Sequence, residues 1–242
     1  MVGSMKELVR NIFRKFGIDI HKLGPTSNAR YQIFQGLQRH GVNLVFDIGA
    51  NTGQFARGIH AIGYRGDIVS FEPLSDAHAI LSQSSAGIET WQVHERGAIG
   101  DFDGEIQINV AGNSQSSSLL PMLEAHSSAA LDSAYIASEI TPIRTLDKVA
   151  PRYISENTNM FIKIDTQGFE WQVLDGGPKT VKDARGILLE LSLVPLYEGQ
   201  RLWRDLIDRL ESDGFTLWAI QPGFIDPRSG RTLQVDALFL RE

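Results

Sequence analysis

Short apolar runs recur along the chain from residue 43 onward, separated by segments whose apolar positions return every three or four residues. Runs without alternation read as strands buried on both faces, and the 3.6-residue period reads as helix. This predicts strands over 43–48, 68–71, 90–95, 160–164, 187–191, 216–220 and 235–240, with an extra strand over 105–110. It predicts helices over 53–62, 76–85, 171–175 and 203–212. Gly176-Gly177-Pro178 stops one helix, and Pro178 opens a short one that ends near Gly186. Strands alternating with helices give an α/β fold with a mostly parallel sheet covered on both faces.

Three segments depart from that rhythm. Residues 221–232 carry two prolines and two glycines and read as a hairpin, so the seventh strand runs antiparallel and starts with Asp236 near the ligand-binding edge. Residues 111–135 are rich in Ser, Ala and Gly with poor periodicity, as expected of a functional loop inserted into the domain. From Met5 to Lys22 the positions Leu8, Val9, Ile12, Phe13 and Phe16 trace a helical stripe beside Lys6, Arg10, Arg14, Lys15 and Lys22. Such a helix either packs on its own domain, the preferred expectation, or touches an anionic membrane as a peripheral contact. Met1–Ser4 reads as an added leader ahead of a natural start at Met5.

Composition narrows the class. A chain of 242 residues with 42% hydrophobic and 21% charged residues is globular and long enough for one substantial core. A formal charge of −6 argues against a nucleic-acid partner held through phosphates. The absence of cysteine removes thiol nucleophiles and thiolate metal sites, and it suits a cytoplasmic setting.

The most informative stretch is Asp47-Ile48-Gly49-Ala50-Asn51-Thr52-Gly53, an acid and a glycine turn between a strand and a helix. Gly49 and Gly53 let backbone approach a ligand closely. Glu72 ends the second strand 19 residues beyond Gly53, close to the spacing of a ribose-binding acid. A dinucleotide enzyme shares this skeleton, but its Gly-x-Gly-x-x-Gly turn meets a pyrophosphate. Here the turn is Gly-x-x-x-Gly behind Asp47, which favours the cationic donor S-adenosylmethionine. Ala98 and Asp101, at the corner after the third strand, are expected near the adenine, with the equal alternative that Asp101 is a plain turn acid beside Gly100. The alternatives are an NAD-dependent oxidoreductase and a noncatalytic nucleoside-binding module.

At this point the chain resembles the FkbM family of methyltransferases. The resemblance rests on the 47–53 turn, Phe71-Glu72-Pro73, Ala98-Ile99-Gly100-Asp101-Phe102-Asp103-Gly104, Thr145-Leu146-Asp147, and Ile162-Lys163-Ile164-Asp165-Thr166-Gln167-Gly168-Phe169-Glu170 with Val173-Leu174-Asp175-Gly176-Gly177. It implies a Rossmann-like class I methyltransferase fold, seven-stranded with an antiparallel last strand, over 43–242, behind a helical extension over 1–42. It also implies O-methylation of a sugar, saccharide or glycolipid-type hydroxyl, or of a polyketide-type metabolite. Asn113-Ser114-Gln115-Ser116-Ser117-Ser118-Leu119-Leu120 is similar to the serine-rich loop of members acting on saccharides.

A sugar hydroxyl needs a base, or a cation for the developing alkoxide, because its pKa lies far above neutrality. Asp165, at the end of the fourth strand, is the first candidate, against the alternative that it caps the next helix. His126 in the insert is a second candidate, as base or acceptor contact, against the preferred alternative of a solvated surface-loop residue. Asp165, Glu190 and Asp236 are expected to converge as oxygen ligands for Mg2+. In the other reading, Glu190 pairs with Lys163 and Asp236 is a surface acid. Tyr197 and Trp203 are an aromatic wall or, more ordinarily, core.

Overall fold

In a computed structural model, which describes residues 5–242, the uninterrupted apolar runs become the centre of one sheet. In chain order the strands are β1 (Leu44–Ile48), β2 (Asp67–Phe71), β3 (Trp91–Val93), β4 (Ala98–Gly100), β5 (Gly104–Ala111), β6 (Tyr135–Thr145), β7 (Met160–Ile164), β8 (Gly186–Ser192), β9 (Thr216–Pro222) and β10 (Gln234–Leu240). The helices are α1 (Met5–Arg14), α2 (Ala29–Arg39), α3 (Gln54–Ala61), α4 (Ser75–Ser85), α5 (Glu124–Ala129), α6 (Leu146–Val149), α7 (Glu170–Asp175), α8 (Pro178–Asp183) and α9 (Trp203–Ser212).

The main sheet has seven strands in the order β3-β2-β1-β7-β8-β10-β9, and β10 alone runs antiparallel to its neighbours. That is the class I methyltransferase arrangement expected above. All five residues of β1 and of β7 are buried, because helices cover both faces. Phe46, Ile162 and Leu189 point to one layer with Leu146, Val173, Val181 and Leu206 of α6 to α9. Their neighbours Val45, Phe161 and Leu188 point to the other, with Ile33 and Leu37 of α2 and Ile59 of α3. The period-two alternation of strand side chains thus builds two cores from one sheet.

A second sheet, β4-β6-β5, accounts for the insert. Ala111 and Tyr135 are themselves paired across β5 and β6, so residues 111–135 are an excursion out of an antiparallel ribbon. The expected strand over 105–110 lies within β5, whereas β6 was not anticipated.

The N-terminal segment differs from expectation. Helix α1 stops at Arg14, followed by Gly17 at φ 72°, and a second helix, α2, starts behind Asn28, whose side chain accepts from the backbone N–H groups of Arg30 and Tyr31. The preferred packing of α1 on its own domain is not found: Leu8, Val9, Ile12 and Phe13 are all exposed. The expectation for Met1–Ser4 lies outside the described residues. Among the described residues no helix is long and apolar enough to cross a membrane.

Candidate functional site

The turns leaving β1, β2 and β7 meet at one edge of the sheet and line a cleft. Gly49, Asn51, Glu72, Ala98 and Asp165 line it, as do the apolar side chains of Leu74, Ile99, Ile108 and Leu119. Glu72 anchors the wall. Its carboxylate accepts the backbone N–H of Asn51 at 2.7 Å and that of Leu74 at 2.9 Å. Burial pushes Glu72 up to about 7, against the downward pull of those two hydrogen bonds. Asn51 adopts a left-handed φ of 49°, tolerable for Asn, and its side chain reaches Ser114 of the serine-rich loop at 3.0 Å. That contact closes the insert over the cleft.

Both turn glycines serve packing within the protein. A Cβ on Gly49 would overlap the carbonyl oxygen of Asp165, and one on Gly53 would strike the Trp91 ring at 2.6 Å. Their left-handed φ values, 72° and 90°, also favour glycine.

Asp47 is corrected by the structure. It is fully buried and does not face the cleft; its carboxylate lies 3.1 Å from the ammonium of Lys163. The direct β1–β7 pairing of Asp47 with Lys163 puts the two side chains on one face of the sheet. Lys163 also donates to the carbonyl of Gly49 at 2.7 Å and stands 3.6 Å from Asp165. Burial works against its charge, but Asp47 and Asp165 outweigh it and hold Lys163 above the usual lysine range. Glu190 is not its ion-pair partner. Negative charge at the cleft is supplied by Glu72 and Asp165, the latter with 38% of its side chain exposed.

Asp165 and Glu190 come together through an amide. Gln167 Nε2 donates to Asp165 at 2.9 Å and to Glu190 at 2.7 Å, while its Oε1 accepts from the Tyr197 hydroxyl at 2.8 Å. Gln167 holds a left-handed φ of 55°, a strained position of the kind that gathers at functional sites. The loop is fixed by Glu170, which accepts from Thr166 N and Gly168 N at 2.9 and 3.1 Å. The helix-capping alternative for Asp165 is excluded, since α7 begins behind Phe169. Asp236 pairs in register with Glu190 across β10 and β8. Burial, then Asp165, push Asp236 up to about 6; burial, then Asp165, Glu170 and Asp236, push Glu190 well above the carboxylate range.

This donor set does not fit the expected Mg2+ ion. The ammonium of Lys163 already stands between Asp47 and Asp165. Glu190 is occupied by the amides of Gln167 and Gln234, each at 2.7 Å. Among the described residues no group of three or more His, Cys, Asp or Glu is placed to hold a metal ion.

A second cleft adjoins the first, and Gln115 and Gln167 line both. Its other walls include Asn113, Ser116, His126, Glu190, Phe224 and Gln234. His126 is buried, with Nε2 at 3.1 Å from the Ser116 hydroxyl and Nδ1 without a hydrogen-bond partner. It packs on Tyr197 and Phe224, and burial pulls it down to about 4, so the ring is neutral at pH 7. The surface-loop reading of His126 is thereby replaced.

Of the expected donor-binding residues, Gly49, Asn51, Glu72 and Ala98 line the cleft, and Asp47, Thr52, Gly53 and Asp101 do not. Asp101 is an exposed turn residue. Thr52 lies on the outer side of the turn, its carbonyl accepting from Arg57. Tyr197 is core, at 1% exposure. Gln167 and Gln115 are the residues that sequence reasoning missed; the left-handed glycine after Gln167 was the available sign of a sharp loop there.

The profile described as "Methyltransferase FkbM domain" matches residues 47–217. The 2-O-methyltransferase NoeI of Sinorhizobium fredii (strain NBRC 101917 / NGR234) is 28% identical over 208 residues, spanning 82% of this chain and 83% of that protein. Among solved structures, a putative RNA methyltransferase from Pyrococcus horikoshii aligns at 12% identity and a TM-score of 0.45, over 88% of this chain and 83% of that one. An rRNA methylase from Streptococcus thermophilus aligns at 12% identity and a TM-score of 0.45, over 89% and 97%. With the profile matching residues 47–217, more than half of its length, the chain belongs to the FkbM family of S-adenosylmethionine-dependent methyltransferases.

Proposed function

We propose that this enzyme transfers a methyl group to a hydroxyl of a sugar, saccharide or glycolipid-type acceptor. The observation that carries the reading is the junction of two clefts at Gln115 and Gln167, with Asp165 on the wall of the first. The first suits the donor: Glu72 is placed for ribose hydroxyls, and Leu74, Ile99, Ile108 and Leu119 offer an apolar slot for adenine. The second suits an uncharged acceptor rich in hydroxyls. It presents the amides of Asn113, Gln115, Gln167 and Gln234, a hydroxyl, a neutral imidazole and the Phe224 ring. The 2-O-methyltransferase activity in the name of the relative NoeI supports oxygen as the nucleophile.

S-Adenosylmethionine supplies an electrophilic methyl group; its transfer to oxygen leaves a thioether and requires the acceptor to lose its proton. Asp165 takes that proton, held in aim by the amide of Gln167 and the ammonium of Lys163. His126 contributes its neutral ring to the wall of the acceptor cleft. No step involves a metal. Most of the remaining rate enhancement comes from holding oxygen and methyl carbon in line.

Calorimetry and labelled-donor transfer test this. S-Adenosylhomocysteine should bind, and label should pass to a glycan in a panel or cell extract. Asp165→Asn should lower turnover by about 100-fold or more with donor affinity within about twofold of wild type. Full turnover in that variant removes Asp165 as base. Tight NAD binding without any S-adenosylhomocysteine signal would overturn the donor assignment.

A further inference from the structure

The segment from Met5 to Lys22 exposes apolar side chains that a folded body ordinarily hides. Met5, Leu8, Val9, Ile12 and Phe13 of α1 are exposed, as is Phe16 just beyond it at 77%. None of them joins a buried cluster. These side chains fall on one stripe roughly 140° wide at 100° per residue, the width of a face made to be covered. A helix of 10 residues gains little from propensity alone, so its stability has to come from whatever covers that stripe.

Charge selects what covers it. Between Met5 and Lys22 stand five Lys or Arg against two Asp or Glu, in a chain that carries 23 against 29 overall. Arg10 and Arg14 flank the stripe on one side and Lys15 on the other. Beside it, Met5, Val9 and Ile20 form an apolar hollow whose rim is Arg10, His21 and Lys22. An apolar floor with a cationic rim matches an acyl chain below an anionic headgroup. The acidic remainder of the chain is repelled by the same surface, which leaves this one basic face to approach it.

We propose that α1 and the strap up to Lys22 dock on an anionic lipid bilayer, with the apolar stripe sunk into the interface and the flanking basic side chains on headgroup phosphates. The contact is peripheral and reversible. It does not depend on the acceptor assignment above.

Vesicle sedimentation of the full chain tests it. The protein should pellet with vesicles of equimolar phosphatidylglycerol and phosphatidylcholine, and remain in the supernatant with phosphatidylcholine alone. Raising salt from about 0.05 to 0.5 M should cut the bound fraction at least about fivefold, because headgroup attraction is screened. Ile12→Asp with Phe16→Asp, and separately Arg14→Glu with Lys15→Glu, should each abolish pelleting. Neither pair touches the donor cleft, so melting temperature and S-adenosylhomocysteine affinity should stay as in wild type, which separates lost docking from lost folding. Protein that stays in the supernatant with anionic vesicles overturns the proposal, as does wild-type pelleting by both double variants. A dimer in sedimentation velocity that Ile12→Asp with Phe16→Asp dissolves would assign the stripe to a second copy and overturn it equally.

Discussion

Glu72 shows how one side chain serves both the fold and the ligand. It closes the turn between β1 and α3 by accepting the Asn51 N–H, and it fixes the exit of β2 through the Leu74 N–H. Both contacts hold its carboxylate on the cleft wall. Glu72→Ala should weaken S-adenosylhomocysteine binding by about 1.5–3 kcal/mol, roughly 10- to 150-fold in Kd, if both ribose hydroxyls donate to it. Calorimetry reads this directly, and an unchanged Kd would place the ribose elsewhere. Glu72 was legible because its distance from the turn is a matter of sequence alone. Asp47 was not: its partner Lys163 lies far along the chain, and only the β1–β7 register shows that the pair is internal. The same register explains why Lys163 meets Asp47 instead of Glu190. Gln167 escaped notice because an amide between two carboxylates has no signature until both acids are placed.

Thr145-Leu146-Asp147 and the Gly176-Gly177 pair show at the level of elements how a family motif can be architectural. Asp147 accepts from the backbone N–H of Lys179 and Thr180 and from the Thr180 hydroxyl, capping the first turn of α8. A Cβ on Gly176 would overlap the Gly100 carbonyl, so the turn before α8 presses against β4. Asp147→Ala should therefore cost about 1–2 kcal/mol, measured as a lower denaturant midpoint, with donor affinity unchanged. A loss of affinity with no change in midpoint would move this motif into the binding site. Elements buried on both faces were readable: β1 and β7 are five-residue runs, each apolar but for one charged residue, and α9 carries a helical stripe with Leu206 and Leu210 inward. Strand β6 was hidden because it is mostly solvated and holds Pro142, which weakens any strand signal. Helix α2 was hidden because only Ile33, Gly36 and Leu37 are buried in eleven residues, too thin a stripe to announce a helix.

Taken whole, the molecule concentrates acid at one edge of its sheet, and its stability should carry the mark of that. Burial pushes Glu72 and Glu170 up to about 7 and, with Asp165, pushes Asp236 up to about 6, from ordinary values of 4.5, 4.5 and 3.8. An acid whose folded value is raised binds its proton more tightly in the folded state, so stability falls as pH rises from the unfolded value through the folded one. Histidines work in the opposite sense: burial lowers His40, His60, His94 and His126 from 6.5, and their gain continues for about one unit above that value while the unfolded rings lose their protons. The contribution of an acid is therefore isolated by comparing proteins that share the same histidines. Between pH 6.5 and 8, Glu72 and Glu170 should each remove about 1 kcal/mol of stability from the unliganded protein. Glu170→Gln, which retains an acceptor for the Thr166 and Gly168 N–H groups, should remove about half of that slope. A saturating cationic donor should flatten the slope further, because positive charge beside Glu72 favours its ionised form. An unaltered slope in Glu170→Gln would mean that this carboxylate is already ionised at neutral pH and that hydrogen bonding, not burial, governs it.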